Sequence, residues 1–145
     1  MIRPLVAADL DALLGLYEQF GHADDATVSR AELEAVWREI LASGSILHLG
    51  LFEDDGLVAT AHASLTPNLT RGARPYAVVE NVVTRADRRR QGHGARLMRA
   101  LIDACWQRGC YKIMLLSGAH RPEAHRFYEA VGFDRNAKQG FVLRR

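Results

Sequence analysis

Arg89-Arg90-Gln91-Gly92-His93-Gly94 lies between two segments of opposite character. Before it, Tyr76-Ala77-Val78-Val79-Glu80-Asn81-Val82-Val83 is almost continuously apolar, as a strand covered on both faces would be. After it, Leu97, Ala100, Leu101, Ala104 and Cys105 recur at helical spacing, with Arg96, Arg99, Asp103 and Gln107 on the other face and Gly109 as a stop. The six residues between are therefore a strand-to-helix turn. Such a turn carries unpaired backbone N–H groups at a helix N-terminus, where the donors and the helix dipole together favour an anion. Arginine-glycine loops open many helices, so the motif is weak alone; its setting between strand and helix is what a phosphate cradle requires. No Gly-Lys-Ser/Thr follows and the spacing is not G-x-G-x-x-G, which argues against nucleotide hydrolysis and NAD binding.

Working outward, the pattern is that of a mixed α/β domain. Ile2 to Val6 reads as a short strand, and Leu10, Leu13, Leu14 and Tyr17 mark a helix that Gly21 closes. Ser29 with Glu32 is a capping box for a second helix, with Leu33, Val36, Trp37, Ile40 and Leu41 on one face. Strands at Ile46 to Phe52 and Leu57 to Leu65 flank Glu53-Asp54-Asp55-Gly56, a hairpin signal. Tyr111 to Leu116 reads as a short central strand, Pro122 starts a helix through Val131, and Phe133 to Leu143 reads as a final hairpin. The strand-helix-strand run in the second half implies one parallel pair inside an otherwise antiparallel sheet flanked by about four helices.

At 145 residues, 48% hydrophobic and 25% charged, the chain reads as one domain, residues 1–145, able to bury a core without disulfides. Cys105 and Cys110 form no CxxC pair, and the six histidines have no metal-ligand spacing, so no metal is expected. No signal-like segment or bilayer-length apolar run is seen, and a soluble, cytoplasmic protein without a membrane partner is expected. A net charge of +2 is too small to imply nucleic acid, although Arg85, Arg88, Arg89 and Arg90 cluster. That cluster could meet nucleic-acid phosphates, the phosphates of a nucleotide-like cofactor, or solvent. Its place beside a glycine-rich helix start favours the cofactor.

Three segments in this order, Glu80-Asn81-Val82-Val83, Arg89-x-x-Gly92-x-Gly94 and Phe127-Tyr128-Glu129-Ala130-Val131-Gly132-Phe133, resemble the GNAT superfamily of acyl-CoA-dependent N-acetyltransferases. The resemblance implies the GNAT acyl-CoA N-acyltransferase fold and acetyl-CoA as co-substrate. It assigns the pyrophosphate to the backbone of Arg89, Arg90, Gln91, Gly92, His93, Gly94 and Ala95, and the pantetheine arm to the backbone of Val82 and Val83. Phe127 belongs to its aromatic signature, and Tyr128 stands where the family commonly keeps the acid that protonates the CoA thiolate. A phenol is protonated at neutral pH, so geometry is its main requirement; seen alone, the aromatic pair would be core. Arg121 stands where many members have an asparagine that contacts the CoA arm, and Ser117, ending the strand after the cofactor helix, could hold pantetheine or substrate.

Glu80, a carboxylate on the central strand, is the candidate general base, with substrate orientation as the equal alternative. Asn81 would face the other way by strand alternation, so only one of the two can face the site. His62, Asn68, Arg71 and Arg74 lie in or before the loop ahead of the central strand and could form part of the acceptor pocket, where Arg71 and Arg74 would suit a phosphate or carboxylate; His125 could also touch substrate. The segments Val79 to Val83 and Cys110 to Ile113 look like glucosamine-6-phosphate and aminoalkylphosphonate acetyltransferases within the superfamily. The expected function is transfer of an acetyl group to the primary amine of a small molecule such as an amino sugar, aminophosphonate or amino acid. The alternatives are a non-catalytic acyl-CoA sensor, a protein or peptide N-acetyltransferase, and an arginine-rich nucleic-acid binder. A homodimer, which the final strands of related proteins often build, is the remaining expectation.

Overall fold

The computed structural model describes residues 1–21 and 27–145. Its elements are strand β1 (Ile2–Pro4), helix α1 (Leu10–Tyr17), helix α2 (Arg30–Ala42), strands β2 (Ile46–Glu53) and β3 (Gly56–Thr66), a four-residue turn of helix α3 (Thr70–Ala73), strand β4 (Tyr76–Thr84), helix α4 (His93–Gln107), strand β5 (Ile113–Leu115) and helix α5 (Pro122–Ala130). The capping box forms as read: the Glu32 N–H donates to Ser29 Oγ at 3.2 Å, and the Ser29 N–H donates back to the Glu32 carboxylate at 2.9 Å. Gly21 at φ +67° and Gly109 at φ +79° take the left-handed conformations that let the chain leave their helices.

The sheet order follows the chain, β1-β2-β3-β4-β5, with only β4 and β5 parallel. On one face, α4 supplies Leu97, Met98, Leu101 and Cys105 to Leu49, Leu51, Ala59, Ala61, Ala63, Ala77 and Val79 of the sheet. Alanines dominate β3 there because a helix lies close against the strand. On the other face, α1 and α2 supply Leu10, Leu13, Leu16 and Trp37, which pack with Leu5, Leu57 and Val83. Thr60, fully buried, donates its hydroxyl to the Leu49 carbonyl at 3.0 Å, so its polar atom is satisfied.

Two irregularities break the ladder. The β2–β3 register shifts between Leu51 and Phe52, and the β3–β4 register shifts between Thr60 and His62. At the second, Asn81 adopts φ +51°, so β4 carries an extra residue there and strict alternation fails.

The last expected hairpin does not form: no strand follows β5 among the described residues, and β5 is an edge strand rather than a central one. The segment begins with a turn in which Asp134 accepts from the Asn136 N–H at 2.8 Å. Its apolar residues Phe141, Val142 and Leu143 are consecutive rather than alternating and stay 89%, 62% and 99% exposed. Both cysteines are free and buried, as structural residues would be.

Candidate active site

The parallel register between β4 and β5 runs Ala77↔Ile113, Val78↔Met114, Val79↔Leu115 and ends there. Beyond Val79 the β5-facing edge of β4 pairs with no strand among the described residues, and from Glu80 to Val83 it is open to an extended ligand. Val82 and Val83 lie on this edge. Their side chains pack into the two cores, Val82 with the α4 cluster and Val83 with the α1/α2 cluster, so only their backbone is available.

The edge leads straight to the glycine-rich turn. Arg90 at φ +60° and Gly92 at φ +82° curl the chain into the start of α4. The backbone N–H groups from Arg90 to Ala95 find no acceptor among the described residues, and the first internal bond of the helix is Arg96 N–H to Gly92 O at 3.0 Å. A Cβ on Gly92 would meet nothing within 4 Å, whereas one on Gly94 would come within 3.2 Å of Thr84 Oγ1 and 3.4 Å of the Phe127 ring. Phe127 thus closes the back of the turn, and the front is open. Residues of these types, with six converging donors and a free strand edge, fit the pyrophosphate and pantetheine of an acyl-CoA.

Side chains around the turn are tied down. Arg89 donates to Thr84 O at 3.2 Å and to Gln19 Oε1 at 3.1 Å, and Gln91 donates to Asp87 O at 3.3 Å. Arg85 and Arg88 both pair with Asp55, and Arg85 also with Asp87 at 2.7 Å. Two of the four clustered arginines are thereby compensated within the protein, against the charge surplus that a nucleic-acid surface needs. His93 is half-buried, with Nδ1 3.7 Å from Glu53.

Tyr128, on α5, is half-buried between Phe127 (ring centroids 5.1 Å apart) and Phe133 (6.1 Å). Burial pushes its phenol above the usual value, with Arg121 pulling down and Glu80 pushing up. It is therefore a proton donor at neutral pH, and its hydroxyl has no partner among the described residues. Glu80 is exposed on β4, and its charge acts on both Tyr128 and His62. Arg121 is solvent-facing beside Glu123 at 3.6 Å, and Ser117 is half-buried just past β5.

Several expected contacts fall elsewhere. Asn81 does not point away from Glu80: the bulge turns it toward α1, where its amide acts on the Tyr17 hydroxyl. Arg71 and Arg74 stack on the Tyr111 ring, 5.9 and 5.8 Å from its centroid, at the start of β4 and β5. Tyr76 opens β4, and four residues of strand, about 13 Å, separate it from Glu80. His125 spends its Nε2 on the Gly118 carbonyl at 2.8 Å and so fixes the loop before α5.

The structure adds His48, which the sequence did not single out, and sets it beside His62. His48 on β2 pairs across with His62 on β3, and His62 with Glu80 on β4, so the three side chains form a row on the α1/α2 face. The imidazoles of His48 and His62 meet edge to face at 5.2 Å, and Trp37 abuts His48 at 5.5 Å. Tyr17 Oη lies 3.3 Å from His48 Nε2. Burial, helped by His62, holds His48 down at about 4, and burial lowers His62 against the pull of Glu80. Burial raises Tyr17 to about 12. At neutral pH the row is therefore two neutral imidazoles and a neutral phenol ending on Glu80.

An open strand edge beside a phosphate-sized cradle, with a phenol and a carboxylate near it, can hold an acyl thioester and bring an amine to it. No cluster suited to a metal occurs among the described residues. Residues 6–133 match the model of the acetyltransferase (GNAT) family. Glucosamine 6-phosphate N-acetyltransferase 1 of Oryza sativa subsp. japonica is 34% identical over 98% of this chain and 86% of its own length. Aminoglycoside N(6')-acetyltransferase type 1 of Serratia marcescens is 31% identical over 86% of this chain and 85% of its own. Among solved structures, the "Putative acetyltransferase from Agrobacterium tumefaciens str. C58" superposes with a TM-score of 0.92 at 41% identity, covering 100% of this chain and 99% of that one. The chain belongs to the GNAT family and is an acetyltransferase.

Proposed function

We propose that the protein transfers the acetyl group of acetyl-CoA to the primary amine of a small polar molecule. The observation that carries this reading is the end of the β4–β5 register at Val79↔Leu115, which opens a strand edge directly below the glycine-rich turn. The backbone of Val82 and Val83 holds the pantetheine arm, and the N–H groups from Arg90 to Ala95 hold the pyrophosphate. The co-substrate supplies the acetyl thioester. Glu80 receives and orients the acceptor's ammonium, and Tyr128 gives its proton to the sulfur as the carbon–sulfur bond breaks. Tyr128 needs no tuning for that task, because burial already keeps it protonated. The relatives act, by their names, on amino sugars and aminoglycosides, which supports a small hydroxylated amine as acceptor.

Thermal unfolding with and without acetyl-CoA, combined with thiol release in the presence of glucosamine 6-phosphate, glucosamine, an aminoglycoside and spermidine, tests the reading. Stabilisation by acetyl-CoA with amine-dependent thiol release supports it. Stabilisation without release from any amine makes the protein an acyl-CoA sensor instead. A homodimer belongs to the same proposal: Phe141, Val142 and Leu143 form an exposed apolar stretch that a second copy would cover. Gel filtration of the full chain against one truncated after Gln139 tests this, and a monomer in both sinks it.

A further inference from the structure

We infer that His62 is the proton acceptor of the reaction, held in place by His48 and compensated by Glu80, and that Glu80 is the group that docks the ammonium. The inference rests on the transferase reading above and concerns the path of the proton. Three strands place the row. His48↔His62 and His62↔Glu80 are direct cross-strand partners, so adjacent side chains start about 5 Å apart and share one face of the sheet.

Each member has a different access to solvent. His48 is 7% exposed, is wedged between Trp37 and His62, and has one ring nitrogen near Tyr17. Its Nδ1 is buried with no partner, a cost that is smaller when that nitrogen carries only a lone pair than when it carries a stranded N–H. The ring proton then sits on Nε2 and points at the Tyr17 oxygen. His48 cannot reach a substrate, and its role is to brace the next imidazole. Glu80 is exposed and free to meet an incoming ammonium. His62 lies between them, half-buried, beside that carboxylate.

Chemistry separates His62 from Glu80 as the base. The reference pKa of an imidazole, about 6.5, is far closer to working pH than that of a carboxylate, about 4.3, and proton acceptance is most efficient near that match. Burial keeps the His62 ring neutral and ready, while the Glu80 charge stabilises the imidazolium once it forms. Among the described residues, the other titratable groups facing the row are Tyr17 from α1, His48 from β2 and, across Glu80, Tyr128 of α5 with Arg121 before it. Glu80 is the only anion of the row among the described residues.

The protons balance. An ammonium loses one N–H proton to the free nitrogen of His62, and the resulting amine attacks the thioester carbonyl. The second N–H proton refills Tyr128, which has given its own to the departing sulfur. His62 then releases its proton to solvent, leaving one amide, one thiol and one proton per turnover.

The test is the pH dependence of kcat/KM for wild type, His62→Asn and Glu80→Gln, with the acceptor the wild type uses from the four-amine panel. Wild type should lose activity at low pH as His62 becomes protonated. Glu80→Gln should move that acid limb to lower pH, because the neighbour that raises His62 is gone, and should raise KM about tenfold or more. His62→Asn should abolish the limb and lower kcat by about 10²- to 10⁴-fold while stabilisation by acetyl-CoA is unchanged. Imidazole added to His62→Ala should restore part of the rate, which a merely structural histidine would not allow. An intact limb and rate in His62→Asn, or a limb abolished by Glu80→Gln, overturns the assignment while leaving the transferase standing. A wild type inert toward every amine sinks both. Independently of any acceptor, NMR titration of the imidazoles should show the His62 midpoint falling in Glu80→Gln, and an unmoved midpoint contradicts the pairing.

Discussion

The two faces of the sheet divide the labour of the molecule. Toward α4, β2, β3 and β4 present Leu49, Leu51, Ala59, Ala61, Ala63, Ala77 and Val79, an unbroken apolar surface that excludes water. Toward α1 and α2 the same strands are apolar only near Leu57 and Val83, and their middle carries His48, Thr60, His62, Ser64 and Glu80. One strand can serve both because its side chains alternate. The α4 face supplies hydrophobic stabilisation; the other face gives up part of its core to hold polar groups beside the open β4 edge.

The largest expected effect that would break this division is on stability. Leu101, fully buried at the centre of the α4 face, should cost about 2–5 kcal/mol when replaced by alanine, read from denaturant unfolding. The same experiment on His62→Asn should give a much smaller loss, although turnover collapses. Equal losses would mean that the polar row is also a structural keystone.

Next comes the pH dependence of stability. His48 sits at about 4 in the fold against 6.5 when free, so between those values the unfolded chain binds the extra proton. Its contribution is complete above pH 6.5 and is lost as pH falls toward 4. At roughly 1.4 kcal/mol per pH unit, that loss is on the order of 3 kcal/mol. Thermal unfolding from pH 7 to pH 4 should show the fall in wild type and a flatter profile in His48→Gln; parallel profiles would place the titrating group elsewhere.

Two further effects sharpen the functional side. Tyr128→Phe should keep acetyl-CoA stabilisation while kcat drops by about 10²- to 10⁴-fold, as expected for the loss of a general acid. An unchanged kcat removes Tyr128 from that role. Gly92→Ala places a side chain at φ +82°, which should cost about 1 kcal/mol and weaken acetyl-CoA binding through the distorted turn, as measured by titration calorimetry. Full retention of affinity would detach the turn from the cofactor.

Much of the fold was legible because its signals are local. The capping box at Ser29 and Glu32, the Asp-Gly hairpin turn and the amphipathic stripe of α4 each depend on residues within a few positions of one another. The polar row was not legible, and register explains why. Counted back from the hairpin turn, where Glu53 faces Gly56, His48 should lie opposite Ala61; the shift between Leu51 and Phe52 instead brings it opposite His62. A second bulge at Asn81 undoes the alternation that would have sent Asn81 away from Glu80. Each displaces a strand by one residue, and nothing in the local sequence announces either. The final segment misled for a related reason: Phe141, Val142 and Leu143 have β-forming side chains, but among the described residues no strand lies beside them to pair with.

Arginine shows the same limit. Arg85, Arg88, Arg89 and Arg90 look alike in a row, and only the folded hairpin brings Asp55 against the first two. Arg71 and Arg74, expected near an acceptor's anion, instead flank Tyr111 at the far end of β4.

The account turns on the claim that an ammonium gives a proton to His62 on the α1/α2 face before its nitrogen attacks an acetyl-CoA held along β4. The most direct measurement is the pH profile of acetyl transfer by wild type beside His62→Asn, with acetyl-CoA binding followed in the same samples. A bound co-substrate in both, with the rate and the acid limb lost only in the variant, is the predicted result. Unchanged transfer by His62→Asn at every pH would contradict it.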